Sequence, residues 1–178
     1  DIEALDAQIE AQLAPFADVV ERLDEIPGIA PTIAAAIIAE VGVDMTRFPT
    51  AGRLCSWAKF APGIKSSAGK TKGTGWTGHG NKYLARALGE AAVSAGKTPT
   101  FLGARYRRLA RRGGRRAVVA VGRSIVVIVW HLLCHPELRF HDLGPDYHNR
   151  RNDPQTALRR HLRDIEALGY TVTVQPAA

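Results

Sequence analysis

Cysteine and aromatic residues are scarce in this chain of 178 residues, and long hydrophobic runs are absent. Cys55 and Cys134 are the two cysteines, and aromatic residues make up 7% of the chain. Two cysteines within apolar helical patterns exclude a disulfide framework and are typical of small buried side chains. The longest apolar run, residues 124–134, is too short to cross a bilayer. We therefore expect a buried core helix there and no membrane partner.

Acidic residues are outnumbered by basic ones, and they are unevenly distributed. The chain has 24 lysines and arginines against 17 aspartates and glutamates, which gives a net charge of +7. A basic excess of this size indicates a polyanionic partner such as nucleic acid. Residues 1–25 are the exception, because they are acidic and Arg22 is their one cation. Their outer face is not expected to contact nucleic acid.

Apolar periodicity predicts a mainly α fold, a compact helical domain followed by a short C-terminal helix and a short strand. In residues 2–25, apolar residues recur at steps of three and four and form a narrow apolar seam on one side of the predicted helix. Such a seam is typical of the end of a coiled-coil or linker helix, and Pro15 should divide this helix. The expected helices cover 51–60 (with Cys55 and Trp57 turned inward), 81–95, 98–112, 117–134 and 154–168, and residues 170–174 alternate as in a strand. We divide the chain into a linker helix (1–25), a main domain (26–135) containing a loop (62–80), and a C-terminal extension (136–178).

The turn Pro27-Gly-Ile-Ala30, which precedes an alanine-rich helix, resembles a helix-hairpin-helix motif. In that motif the turn and a helix N-terminus direct backbone N–H groups at a DNA phosphate without reading bases. Pro31 fits the first position of the second helix, and Gly42 fits its C-terminal cap. Ala30 stands where the motif has a second glycine. The alternative, an αα-hairpin turn that contacts nothing, stays open.

The stretch from Pro62 to Lys82 interrupts the helical pattern. Its six glycines let the backbone approach a ligand, and its four lysines supply cations. The adjacent Ser66 and Ser67 can be linker residues, phosphate-contacting hydroxyls or a nucleophile. A serine that takes part in phosphoryl transfer needs cations around the phosphate, and it does not need a histidine–aspartate relay.

Cations cluster in two places. Seven arginines fall between residues 105 and 116 with no acidic residue among them, and such a run repels itself unless a polyanion is near. The helix that begins at Asn81 turns its N-terminus to the serine loop, where the helix dipole favours an anion. We therefore predict nucleic-acid contacts at Gly28, Lys65, Lys70, Lys72, Lys82, Arg86, Arg105, Arg108, Arg111, Arg112, Arg115 and Arg116.

Five segments together resemble one protein family in order and spacing. They are Ile26-Pro-Gly-Ile, Phe48-Pro-Thr-Ala, Trp57-Ala-Lys-Phe-Ala-Pro-Gly, Ser66-Ser-Ala-Gly-Lys and Thr77-Gly-His-Gly-Asn-Lys-Tyr-Leu-Ala-Arg86. The family they resemble is the C-terminal transposase domain of the DEDD transposases of the insertion-sequence-110 family, relatives of Piv-type DNA invertases. The likeness covers residues 20–135.

The resemblance implies a DNA transposase with a serine nucleophile. In the family a serine attacks DNA and forms a covalent phosphoserine, and a structured bridge RNA pairs with target and donor DNA. The matching position is Ser67, and because Ala68 replaces the family's glycine, Ser66 stays as an alternative. Asn81 and Arg86 match the segment that follows the serine.

The family's metal site is expected outside these residues. Four acidic residues of a RuvC-like N-terminal domain hold Mg²⁺ in the family, and no such tetrad is present between Asp1 and Ala178. We expect no cofactor in this fragment, and we expect that the fragment alone is inactive. The full-length protein is expected to act on DNA in the cytoplasm, at the nucleoid, as a dimer or tetramer.

Two other functions remain. A non-catalytic DNA- or RNA-binding module of a recombination complex would use the hairpin turn and the arginine-rich helix. A pure assembly domain explains the apolar seam of the first helix but not the seven arginines.

Overall fold

The structure, a computed structural model, describes residues 2–63, 65–67, 70–72, 77–150 and 154–175. In this part of the chain most residues are helical, which confirms the predicted mainly α fold. The elements in chain order are α1 (Ile2–Leu13), α2 (Ala17–Asp24), α3 (Pro31–Val41), α4 (Ala51–Trp57), β1 (Lys65–Ser67), β2 (Lys70–Lys72), α5 (Lys82–Ala95), α6 (Phe101–Ala110), α7 (Gly114–Cys134), α8 (Tyr147–Arg150) and α9 (Pro154–Glu166).

Helix α7 is the centre of the domain. Helices α4, α5 and α6 pack on it, α2 reaches its C-terminal end, and α3 packs on α2 and α5. Ala117, Val121, Ile125 and Val129 repeat every four residues along α7, and each is at most 2% exposed. By length and composition α7 could cross a membrane. The helices that pack on it bury the face with Ala117, Val121, Ile125 and Val129, as expected of a core helix, and other apolar side chains of α7 are half-buried.

A buried arginine joins α2 to the end of α7. Arg22 is 4% exposed, and its Nη1 donates a hydrogen bond to the backbone carbonyl of Leu132. Its Nε donates to the carboxylate of Asp18 across 3.1 Å. A buried guanidinium needs such partners because its desolvation is costly. The one cation of the acidic N-terminal segment is therefore a structural residue.

Pro15 divides the N-terminal helix as predicted. A 3₁₀ turn at Ala14–Phe16 separates α1 from α2. Helix α1 has no buried residue along its described length, and its apolar seam is exposed by 76% at Ile2, 58% at Leu5 and 51% at Ile9. The prediction that this seam packs on another helix stays a prediction.

The ends of the inner helices follow local chemistry. Thr50 caps α4 by accepting a hydrogen bond from the N–H of Arg53. Pro31 opens α3 and Gly42 follows its last residue, as predicted. Helix α6 begins at residue 101, later than predicted, because Thr100 caps it by accepting a hydrogen bond from the N–H of Gly103.

Two expectations are wrong, and a third holds in part. Trp57, expected inside, is 41% exposed and packs on Phe48 with ring centroids 5.3 Å apart. Helix α4 has only seven residues, and the edge with Cys55 faces the core, which leaves Trp57 at the rim. Residues 170–174 are described and form no strand, since an isolated strand has no partner to pair with. Cys55 is buried, whereas Cys134 is half-buried.

The turn before α3 packs closely on α5. Gly28 has a φ of +91°, and a Cβ atom there would lie 2.3 Å from the carbonyl oxygen of Ala91 and 2.6 Å from the backbone nitrogen of Ala95. Only glycine fits such an approach at a positive φ. Packing therefore accounts for Gly28 by itself, and its contact with DNA stays a prediction.

Replacing Gly28 tests this packing. Gly28→Ala is expected to lower the free energy of unfolding by about 3 kcal/mol, because backbone strain adds to overlap with α5. Gly144→Ala is the matched control, since its φ is +81° and an added Cβ meets nothing within 4 Å. The control should lose only about 1 kcal/mol, from strain alone. Urea denaturation followed by circular dichroism measures both, and equal losses would contradict the packing role.

Candidate nucleic-acid interface and serine hairpin

The serine-bearing stretch contains a short antiparallel hairpin where the sequence predicted a loop. In the backbone register of β1 and β2, Ser66 pairs with Thr71 and Ser67 pairs with Lys70. The backbone of each serine is thus paired with a polar residue of β2, and the partner of Ser67 is the predicted cation Lys70. Lys70 is exposed. The side chains of both serines, of Lys65 and of Lys72 lie outside what the structure describes.

Lys59 supplies a cation beside residues 78–80 that the sequence did not reveal. It follows α4 with a φ of +61°, the one positive φ recorded for a residue other than glycine in the described chain. A Cβ atom at Gly80 would lie 2.9 Å from Cγ of Lys59, and one at Gly78 would lie 3.9 Å from its Cε. The aliphatic stem of Lys59 therefore lies along residues 78–80, and Lys59 adds an exposed cation next to this segment, which follows the hairpin in sequence.

Asn81 follows residues 78–80 and caps helix α5. Its Oδ1 accepts hydrogen bonds from the N–H groups of Tyr83 at 2.9 Å and Leu84 at 3.2 Å, and its Nδ2 donates to Glu40 of α3. These N–H groups at the start of α5 were expected to be free to meet an anion. They are not free, because the cap formed by Asn81 already satisfies them. The predicted nucleic-acid contacts of Lys82 and Arg86 stay predictions. Glu40, which holds the Asn81 amide in place, is a second residue that sequence reasoning missed.

Lys82 and Arg86 remain exposed cations on the first turns of α5. The Lys82 ammonium lies 4.9 Å from the ring centroid of Tyr83, and Arg86 pairs with Glu90 across 2.8 Å. The hydrogen bond and the charge of Glu90 raise the pKa of Arg86. An exposed pair of this kind contributes little to stability. A phosphate can therefore replace Glu90 as the partner of Arg86.

The seven arginines of residues 105–116 do not act as one group. Arg107 donates to the carbonyl oxygens of Gly96 at 2.8 Å and Thr98 at 2.9 Å, so it completes the end of α5. Arg105 is half-buried, and its Nε is buried with no hydrogen-bond partner among the described residues. Burial, followed by the charge of Arg108, lowers the pKa of Arg105. The remaining five are exposed: Arg108, Arg111, Arg112, Arg115 and Arg116.

These five exposed arginines form the arginine corner, where α6 ends and α7 begins. None of them forms an ion pair with an acidic side chain in the described part of the chain. Arg108 lies 3.3 Å from Nε2 of His148. Gly113 precedes α7 and has no side chain to cap it, unlike Asn81 at α5. The positive end of a 21-residue helix thus adds to the field of the arginines. This field suits a phosphate backbone.

The described residues offer no metal centre. Among them, no three or more histidine, cysteine, aspartate or glutamate side chains lie together in a way that could hold an ion. The Mg²⁺ expectation concerns acidic residues outside this chain, and it stays a prediction.

Comparison with known proteins supports the interpretation of this region. Residues 20–107 match the family described as Transposase IS116/IS110/IS902 family. The chain is also 33% identical over 134 residues to the "Insertion element IS110 uncharacterized 43.6 kDa protein" of Streptomyces coelicolor. That match covers 73% of this chain and 32% of the relative, so the chain spans about a third of the relative's length. The family match includes the serine hairpin, Asn81 and most of α6.

Proposed function

Residues 20–107 belong to the transposase IS116/IS110/IS902 family, and from this premise we propose that the chain is the serine-bearing part of a transposase that cuts and exchanges DNA strands. Membership of this family implies that DNA is a partner. The observation that carries the proposal is that Ser66 and Ser67 lie on β1 of a hairpin within a cation-rich stretch of chain, and that Lys59 lies along residues 78–80, which follow this hairpin in sequence. Lys70, Lys82 and Arg86 add exposed positive charge along the same stretch of chain.

The chemistry proposed for Ser67 is phosphoryl transfer. The serine oxygen forms a bond to the phosphorus of a DNA phosphodiester while the bond from that phosphorus to one deoxyribose oxygen breaks. The serine proton passes to a base or to water, and the departing deoxyribose oxygen takes up a proton. Charge grows on the phosphate oxygens during the transfer, and fixed cations stabilise it. The phosphoserine conserves the phosphodiester energy, so the hydroxyl of another strand can reverse the step.

Other parts of the proposal concern partners. We propose that the arginine corner holds the backbone of DNA or of the guide RNA, since phosphate contacts position a nucleic acid without reading sequence. The exposed apolar seam of α1 supports assembly into a dimer or tetramer. Mg²⁺ is proposed to bind four carboxylates of a RuvC-like domain elsewhere in the full-length protein, where it would stabilise charge on the same phosphate.

A covalent adduct tests the chemistry directly. The full-length transposase is incubated with DNA that carries a nick next to the cleavage site, so that the released fragment diffuses away and the intermediate accumulates. Protease digestion and mass spectrometry should find a phosphodeoxynucleotide on Ser67. The adduct on Ser66 would move the nucleophile by one residue. DNA binding without an adduct on either serine would instead favour the non-catalytic nucleic-acid-binding module. Such a module would need only the five exposed arginines to bind.

A further inference from the structure

A pocket beside the arginine corner takes no part in the proposed strand chemistry. It is a cavity of about 470 Å³ between α6, α7 and residues 138–143. This volume lies in the range of about 300–1,000 Å³ that is typical of small-molecule sites. Its walls are mainly apolar, and they include Phe101, Ile128 and Phe140. Arg105 and Arg123 add positive charge to the lining.

The outer wall of this pocket is fixed to the domain by hydrogen bonds. The N–H of Phe140 donates to Glu25 across 2.9 Å, and Arg139 pairs with Glu25 across 2.7 Å. The carboxylate of Asp142 accepts from the N–H groups of Phe101 at 3.0 Å and Gly144 at 2.9 Å. Both oxygens of Asp142 are thus in use. The pocket is built into the fold, and its one acidic side chain is occupied by the backbone.

Two features of the lining call for an occupant. Ile128 lies in the segment that the sequence predicts to be a buried core helix, but the structure leaves it half-buried on the pocket wall. Arg105 also lines the pocket, and no acidic side chain pairs with its half-buried guanidinium among the described residues. A half-buried cation has lost part of its hydration, so an acceptor that a ligand supplies to the guanidinium would be favoured.

We propose that this pocket binds the base of one unpaired nucleotide, and that the guanidinium of Arg105 donates to an oxygen or ring nitrogen of that base. Every nucleobase has a flat apolar face and acceptor atoms on its edge, and apolar and aromatic side chains take up such faces in single-strand binding proteins. The inference rests on the proposed function, because it takes nucleic acid as the partner of this surface.

The position of the arginine corner favours a nucleotide over an apolar peptide. Arg105 and Arg108 are three residues apart on α6, so they are neighbours on the helix surface. A strand whose base enters the pocket can therefore place its next phosphates on Arg108 and the exposed arginines that follow. The phosphates of such a strand, with one negative charge per nucleotide, would neutralise the positive charge of the pocket lining and of the arginine corner.

The test compares two probes with the same backbone charge. Full-length protein is titrated against fluorescent oligothymidylate and against an abasic phosphodiester of equal length, and anisotropy reports binding. The wild-type protein is expected to bind oligothymidylate about tenfold more tightly, the scale of one stacked base. Ile128→Trp, which fills the pocket, and Arg105→Lys, which keeps the charge but removes the planar guanidinium, should each abolish this preference. Arg108→Gln is the matched control, and it should weaken both probes equally.

Each outcome decides between the proposals. Equal binding of both probes by the wild-type protein overturns the pocket and leaves the proposed function standing, whereas binding of neither probe overturns both. Oligouridylate as a third probe shows whether the base is taken from RNA as well as DNA. If Ile128→Trp fails to fold by circular dichroism, Arg105→Lys decides. If Ile128→Trp makes an oligomer of the protein dissociate and leaves the base preference intact, a protein segment occupies the pocket and the proposal is wrong.

Discussion

Ser67→Ala in the full-length transposase is expected to lower the recombination frequency by at least about a thousandfold, because removing a catalytic nucleophile removes its covalent intermediate. DNA binding should be unchanged, since the arginine corner and the exposed cations Lys70, Lys82 and Arg86 remain. The hairpin itself should survive, because residue 67 pairs with residue 70 through backbone atoms. A plasmid recombination assay measures the first quantity, and fluorescence anisotropy with cognate DNA measures the second.

Ser66→Ala is the matched control for this experiment. It removes the same hydroxyl from the neighbouring residue of β1, whose backbone partner is residue 71. We expect it to keep most of the recombination activity. The opposite result, activity lost in Ser66→Ala and kept in Ser67→Ala, would assign the nucleophile to Ser66. Activity in both variants would remove the phosphoserine mechanism and leave the binding module.

The parts of the fold that depend on local chemistry could be predicted from the sequence. Pro15 breaks the first helix because its ring cannot continue the hydrogen-bond ladder, wherever the helix lies. Thr50 caps α4 with its own side chain, and Gly42 ends α3 with a positive φ. The apolar run at residues 124–134 likewise predicted a core helix. Each of these signals is contained within a single short stretch of the chain.

The predictions that failed depend on contacts between distant segments. Residues 170–174 alternate like a strand, but pairing needs a neighbouring edge, and periodicity does not show whether one exists. Trp57 is apolar and lies in a helix, but its exposure depends on which edge of α4 meets α7. In both cases the local pattern was correctly described, and the tertiary environment decided the outcome.

The contacts of Lys59 and Asn81 also depend on distant segments, so the sequence did not predict them. Phe60 is buried against α7, where a Cβ atom at Gly122 would lie 2.4 Å from the Phe60 ring. This contact fixes the chain direction after α4, and Lys59 takes its positive φ next to it. The pairing of Glu40 with Asn81 joins residues 41 positions apart. A single sequence without these contacts gives no reason to select either Lys59 or Glu40.

The arginine-rich helix carries the second large prediction. The double variant Arg108→Gln/Arg112→Gln is expected to lower the slope of log K against log salt by about 1.8, because each phosphate contact in duplex DNA contributes about 0.9. The affinity should fall for all DNA sequences alike, since phosphate contacts do not read bases. Anisotropy titrations of the full-length protein at several salt concentrations measure both quantities.

Arg107→Gln separates this electrostatic effect from loss of folding. It removes the same charge from the same helix, but Arg107 is bonded to the carbonyl oxygens of residues 96 and 98. We therefore expect a lower melting temperature and an unchanged salt slope. If the double variant kept the wild-type slope, Arg108 and Arg112 would not contact phosphates. If Arg107→Gln changed the slope as much as the double variant, net charge alone would control binding, and the arginine corner would not be a defined site.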